Sequence, residues 1–167
     1  WGITARMIAD HPLAGVGAGN FPVRFHEYFG GDDLDFSTID TNWLEPHNDF
    51  LWVWVEKGLP GILLFVGIFV AAFGCGRVVL RSAAPAADRW LALASCLALV
   101  SYAALSCFDF PLERINHQVY FALSLAVLTV IKHGVAPARP LVPLAATPRA
   151  VRGLGGLIMV EIGRAHV

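Results

Sequence analysis

Two stretches of the chain, Gly58 to Gly76 and Trp90 to Phe108, contain no Asp, Glu, Lys or Arg, and a shorter third, Gln118 to Ile131, is uncharged as well. A helix crossing a hydrocarbon core needs about 20 residues, within a range of about 17–25. The first two stretches meet that length outright, and the third does once Ile115–Gln118 or the stem of Lys132 snorkels into the apolar layer. Backbone polar groups find no water inside a bilayer, so each stretch is expected to be helical. The period-two alternation of a barrel strand is missing from all three. The expected fold class is therefore all-α: a multi-pass transmembrane helical protein with a large extracytoplasmic loop that contains short helices. Composition agrees, at 56% apolar and 15% charged residues with a mean hydropathy of +0.61. A net charge of −1 without a Lys/Arg stripe excludes a nucleic-acid partner. Cys75, Cys96 and Cys107 all sit inside apolar runs without paired spacing, which argues against a disulfide framework or a zinc site. No metal and no cofactor is expected.

The charges divide the chain. Residues 1–58 hold nine acids and three bases, whereas the rest holds four acids and nine bases. Short loops set the orientation of a membrane protein through their Lys/Arg content. The 77–89 connection carries Arg77, Arg81 and Arg89 against Asp88, and 132–152 carries Lys132, Arg139, Arg149 and Arg152 against no acid. Between them, 109–117 has Arg114 against Asp109 and Glu113. The predicted organisation is an outer segment 1–57, a span 58–80, an inner loop 81–89, a span 90–108, an outer turn 109–117 and a span 118–133. A Pro-rich inner linker 134–152 follows, then a further apolar start within 153–167. Residues 1–11 read as a helix stopped by Pro12. The chain also reads as incomplete, and its closing Glu161–Val167 stretch is similar to the translation of a sequencing adapter.

Two outer stretches exceed what a spacer needs. In Asp10-His11-Pro12-Leu13-Ala14-Gly15-Val16-Gly17-Ala18-Gly19-Asn20-Phe21, the spaced glycines permit positive φ and close backbone approach. This is either a tight re-entrant turn or a nest of amides for an anion. In Glu45-Pro46-His47-Asn48-Asp49, Asn48 is a plausible helix N-cap with Asp49 in the first turn, and the helix would run through Trp52 and Trp54 towards a Gly58-Leu59-Pro60-Gly61 break. His47 then stands just before the positive end of a helix. There it either caps a loop or, as a neutral imidazole, accepts a proton beside a bound anion. His11, His26 and His117 have no comparable setting. Asp32, Asp33 and Asp35 read as a solvated loop rather than a cation site.

Taken together, the Asp10–Phe21 stretch, a polar loop, His47-Asn48, nine residues, Gly58, two residues and Gly61 resemble the O-antigen ligase and O-antigen polymerase family. The Phe108-Asp109-Phe110-Pro111 turn ahead of a further span is also similar to that family. The resemblance covers roughly residues 1–131, the C-terminal part of such a protein. It implies a glycosyltransferase of the bacterial inner membrane, active at its periplasmic face. The implied donor is a glycan linked to undecaprenyl diphosphate, the acceptor hydroxyl belongs to lipid A–core, a growing polysaccharide or a protein, and membrane lipids surround the spans. It also implies that His47 is the functional histidine of the motif, with Asn48 beside it in contact with substrate.

Glycosyl transfer needs a base for the attacking hydroxyl and cations for the departing diphosphate. Arg24 and Arg114 are the outer arginines best placed for the latter, and each is equally readable as a solvated surface residue. Asp109 would orient His47 or Arg114, or serve only the turn. The rival function is a transporter or flippase subunit that binds the same lipid carrier without chemistry; transporters put ionisable residues within their spans, and 58–76 and 90–108 have none. A purely structural subunit is the third possibility.

Overall fold

The computed structural model describes residues 1–28 and 46–136, whose regular elements are all helical, with no strand among them. The order is α1 (Gly2–Asp10), α2 (Phe21–Phe25) running into a 3₁₀ turn (His26–Tyr28), α3 (Asp49–Leu80), α4 (Ala86–Ser106), a second 3₁₀ turn (Pro111–Glu113) and α5 (Ile115–Val135). Helices α3, α4 and α5 are long and apolar enough to cross a membrane. The all-α multi-pass reading therefore holds. The loop with Asp32, Asp33 and Asp35 and the Pro-rich linker beyond residue 136 lie outside the described residues.

Helices α3 and α5 extend past both ends of their uncharged stretches, whereas α4 begins before Trp90 and ends at Ser106, short of Phe108. Helix α3 starts at Asp49 with Asn48 as its cap, as the sequence predicts: the Asn48 carboxamide oxygen accepts from the Leu51 amide at 3.0 Å. Helix α4 starts at Ala86 behind Pro85, and α5 starts at Ile115 directly after Arg114. The connection between α3 and α4 is therefore 81–85 rather than 81–89, and the one between α4 and α5 is 107–114 rather than 109–117.

Among helices in lipid, close packing rather than burial from water drives association, and small residues allow it. Gly76 of α3 is such a point. A Cβ there would run into the Cys96 sulfur of α4 and touch Leu128 of α5. Around it Ala72, Val79, Ala92, Leu99 and Leu128 form one buried cluster. Ser95 and Ser124 place their hydroxyls on the Leu91 and Tyr120 carbonyls one turn back, so neither is left unbonded. Nearer the α3 start, Phe50, Phe65, Phe69, Tyr102 and Phe121 form a run of contacting rings with neighbouring centroids 4.6–6.4 Å apart. Outward-facing Leu64, Val70, Leu97 and Val130 are largely exposed, as lipid-facing side chains would be.

Helix α3 is interrupted at Gly58, whose backbone is left-handed (φ 64°, ψ −165°), with Pro60 two residues on. The interruption frees hydrogen-bonding groups, and the glycine-rich turn takes them. In an uninterrupted helix the Leu59 amide would bond the Val55 carbonyl; here it donates to Pro12 at 2.9 Å. Pro60 has no amide for Glu56. The two stranded carbonyls, Val55 and Glu56, accept instead from the Val16 and Gly17 amides at 2.7 and 3.0 Å. Backbone lies on backbone. A Cβ at Gly15 would meet the Glu56 backbone, and one at Gly58 would meet Leu13 and Ala14. The turn is thus the re-entrant structural element, and the amides of Val16 and Gly17 are committed to carbonyls rather than to an anion. Buried Glu56 completes the joint by accepting from the Phe21 amide at 3.3 Å, and Met7, Ile8, Phe21, Phe25 and Val55 pack into a small core.

Candidate active site

The start of α3, the end of α4 and the second 3₁₀ turn meet at one end of the three-helix bundle, where α1 and α2 also lie. His47 sits at this junction with φ 51°, the sole described non-glycine residue in the left-handed region. Such a backbone costs about 1–3 kcal/mol and persists only where neighbours over-determine it. Here they do. The Trp1 indole donates to the Pro46 carbonyl at 2.8 Å, and Trp1 also contacts the Phe108 ring. The Asn48 side chain caps α3 with its oxygen while its nitrogen donates to the Cys107 carbonyl at 3.0 Å. Asp49, wholly buried, accepts with one oxygen from the Ser106 hydroxyl at 3.0 Å and from the Leu112 amide at 3.1 Å.

This seating brings the imidazole against the 107–114 turn. His47 meets Phe110 edge to face with centroids 4.8 Å apart. The Arg114 guanidinium lies 5.0 Å from the centre of the same ring and 3.7 Å from the Asp109 carboxylate. Asp109 also accepts from the Phe110 amide at 2.9 Å, so it braces both the ring and the arginine. Half of the Arg114 side chain is exposed. Of the residues singled out from sequence, His47, Asn48, Asp109 and Arg114 therefore converge. Arg24 is placed differently: it lies on α2 and pairs with Glu27 at 2.9 Å, an exposed i,i+3 pair. Trp54 donates its indole N–H to Pro12, which makes it part of the turn packing. Gly58 and Gly61 serve the break; a side chain at 61 would collide with Lys57.

Beside the junction lies an open cleft of about 540 Å³, lined by Trp52, Lys57, Leu112, Glu113 and Gln118. It mixes an indole, both signs of charge and an amide. Among the described residues no three His, Cys, Asp or Glu come together as a metal site would require.

Asp49, Ser106 and Phe110 are the participants that sequence reasoning did not assign to the site. Asp49 was readable only as a first-turn acid, and Ser106 hides in an apolar run. Asp49 precedes the Gly58 break, outside the uncharged span. Burial raises its carboxyl from 3.8 to about 6, against the lowering effect of the Leu112 and Ser106 hydrogen bonds. Its second oxygen is buried with no hydrogen-bond partner.

No curated protein and no solved structure matches the chain significantly. A family model does, that of O-antigen ligase, over residues 1–66. The matched segment takes in the glycine-rich turn, His47-Asn48 and the Gly58–Gly61 break, and over these residues the chain is similar to the O-antigen ligase family.

Proposed function

We propose that this protein is a membrane glycosyltransferase of the O-antigen ligase or polymerase type, which moves a glycan from undecaprenyl diphosphate to an acceptor hydroxyl at the periplasmic face of the inner membrane. One observation carries the reading: His47 and Arg114, a proton acceptor and a cation, meet on the Phe110 ring at one end of three apolar helices. The family match over residues 1–66 supports the same class of reaction.

The chemistry then divides between the two residues. The acceptor oxygen bonds to the anomeric carbon as the bond from that carbon to the diphosphate oxygen breaks, and the electron pair leaves with the diphosphate. The acceptor proton passes to the His47 imidazole. The Arg114 guanidinium, held by Asp109 and Phe110, offers a planar fork to the leaving diphosphate. Asn48 is occupied by Leu51 and Cys107 and sets the position of its neighbour. Arg24 has its Nε paired with Glu27, which offsets its charge towards a phosphate. The rival transporter reading gains no support, since the 59–76 and 90–106 parts of the spans hold no Asp, Glu, Lys or Arg.

The test is His47→Ala, assayed as transfer of labelled oligosaccharide from undecaprenyl diphosphate in membranes that make the acceptor. Loss of transfer at unchanged protein abundance is expected. Near-normal transfer removes His47 from the chemistry.

A further inference from the structure

The wholly buried carboxylate of Asp49 is two residues from His47, yet it bonds to groups 57 and 63 residues away in the chain. Those two groups, the Ser106 hydroxyl and the Leu112 amide, lie on either side of the 107–111 segment. That segment holds the Cys107 carbonyl bonded to Asn48 and the Phe110 ring packed on His47. Asp49 therefore ties the beginning of α3 to both flanks of the surface on which the imidazole rests. The left-handed backbone at His47 carries strain that persists only where neighbouring contacts over-determine it, and such a tie supplies them.

We infer that Asp49 is a positioning residue for glycosyl transfer: through Ser106 and Leu112 it fixes the register of the 107–114 turn against α3, and with it the placement of His47 relative to Arg114. The inference rests on the assignment of His47 as the proton acceptor. Positioning matters to rate because misplacement of a reacting group by about 1 Å costs about a hundredfold. A helix-joining role alone would require only that the carboxylate be bonded. The positioning role makes a narrower demand, that the shape and accepting oxygen at residue 49 be kept while its charge is dispensable.

Four variants test this in membranes of the native host, with transfer of labelled oligosaccharide from undecaprenyl diphosphate read per folded protein. Asp49→Asn keeps an accepting oxygen for Ser106 and Leu112, and at least half of the wild-type kcat is expected. Asp49→Ala removes the tie, and kcat is expected to fall at least tenfold with KM changed less than twofold. Ser106→Ala breaks one of the two bonds; kcat is expected to fall about threefold, and Ser106→Thr should restore it. Asp49→Asn as inactive as His47→Ala would overturn the inference by giving the carboxylate a chemical role. So would wild-type kcat in Asp49→Ala. Should Asp49→Ala fail to accumulate, an unchanged kcat in Ser106→Ala overturns it. His47→Ala serves as the separate control: if that variant transfers normally, the assignment of the site fails and not merely the role of Asp49.

Discussion

His47 and Arg114 touch the same ring: the imidazole meets Phe110 edge to face at 4.8 Å, and the guanidinium lies over it at 5.0 Å. The two functional groups are 67 positions apart in sequence and share no helix. The relationship separates the two arginines proposed from sequence. Arg114 lies over the ring that His47 also meets and pairs with Asp109, whereas Arg24 is engaged by Glu27 on its own segment.

Arg114→Ala is therefore expected to lower kcat/KM for transfer by roughly a hundredfold, in the range seen when one charge-stabilising donor is removed from a reaction centre. Arg24→Ala is expected to stay within about threefold of wild type, since an exposed ion pair contributes little. Steady-state kinetics with a carrier-linked glycan checks both. Equal losses would contradict the assignment.

Gly58→Ala is expected to destabilise the protein by about 2–4 kcal/mol. The new side chain would have to adopt a left-handed backbone and would also strike the Leu13 and Ala14 backbone. Gly67→Ala, at a helical position where a Cβ meets nothing, serves as the comparison and should be neutral or better. Thermal denaturation in detergent distinguishes them.

Sidedness has a direct readout. In a protein whose Cys75, Cys96 and Cys107 are replaced by alanine, a cysteine at the exposed Leu13 should react with an impermeant thiol reagent added to the periplasm. A cysteine at Ala86, the first residue of α4 at the other end of the bundle, should not. Labelling in the reverse order would put the His47 junction on the cytoplasmic side.

Asp49 makes stability depend on pH. Its folded carboxyl is raised to about 6 from 3.8, so folding favours the protonated form. The contribution is present in full below the unfolded value and is lost as pH rises through the folded one. About two pKa units correspond to about 3 kcal/mol. The melting temperature is expected to fall between about pH 4 and about pH 7, and Asp49→Asn, which cannot titrate, should flatten that part of the curve. Melting curves of both proteins across this range provide the check.

Sequence alone disclosed the three spans, because runs without charge have few alternatives in a chain this apolar. The Asn48 cap and the end of α3 at Leu80 were legible, but the ends of α4 and α5 were missed by about two to four residues: the apolar run marks what lies in lipid, whereas Pro85 and Arg114 mark where those helices begin. The glycine-rich turn was recognisable as a turn, but its docking on the Gly58 break was not, since that depends on the carbonyls of Val55 and Glu56 left without donors. His47 and Asn48 stood out by their spacing to Gly58 and Gly61. Asp49 and Ser106 did not, because their importance arises from a contact across 57 residues that neither local pattern announces.

The bond between Asp49 and Ser106 also joins the chemistry to the lipid phase. Ser106 is the last residue of a helix long enough to cross the bilayer, so the seat of the imidazole moves with the tip of that helix. Helices accommodate a thicker or thinner hydrocarbon layer by tilting. On the proposed function, a change of tilt in α4 would shift the Asp49–Ser106 bond and the seat of the imidazole together.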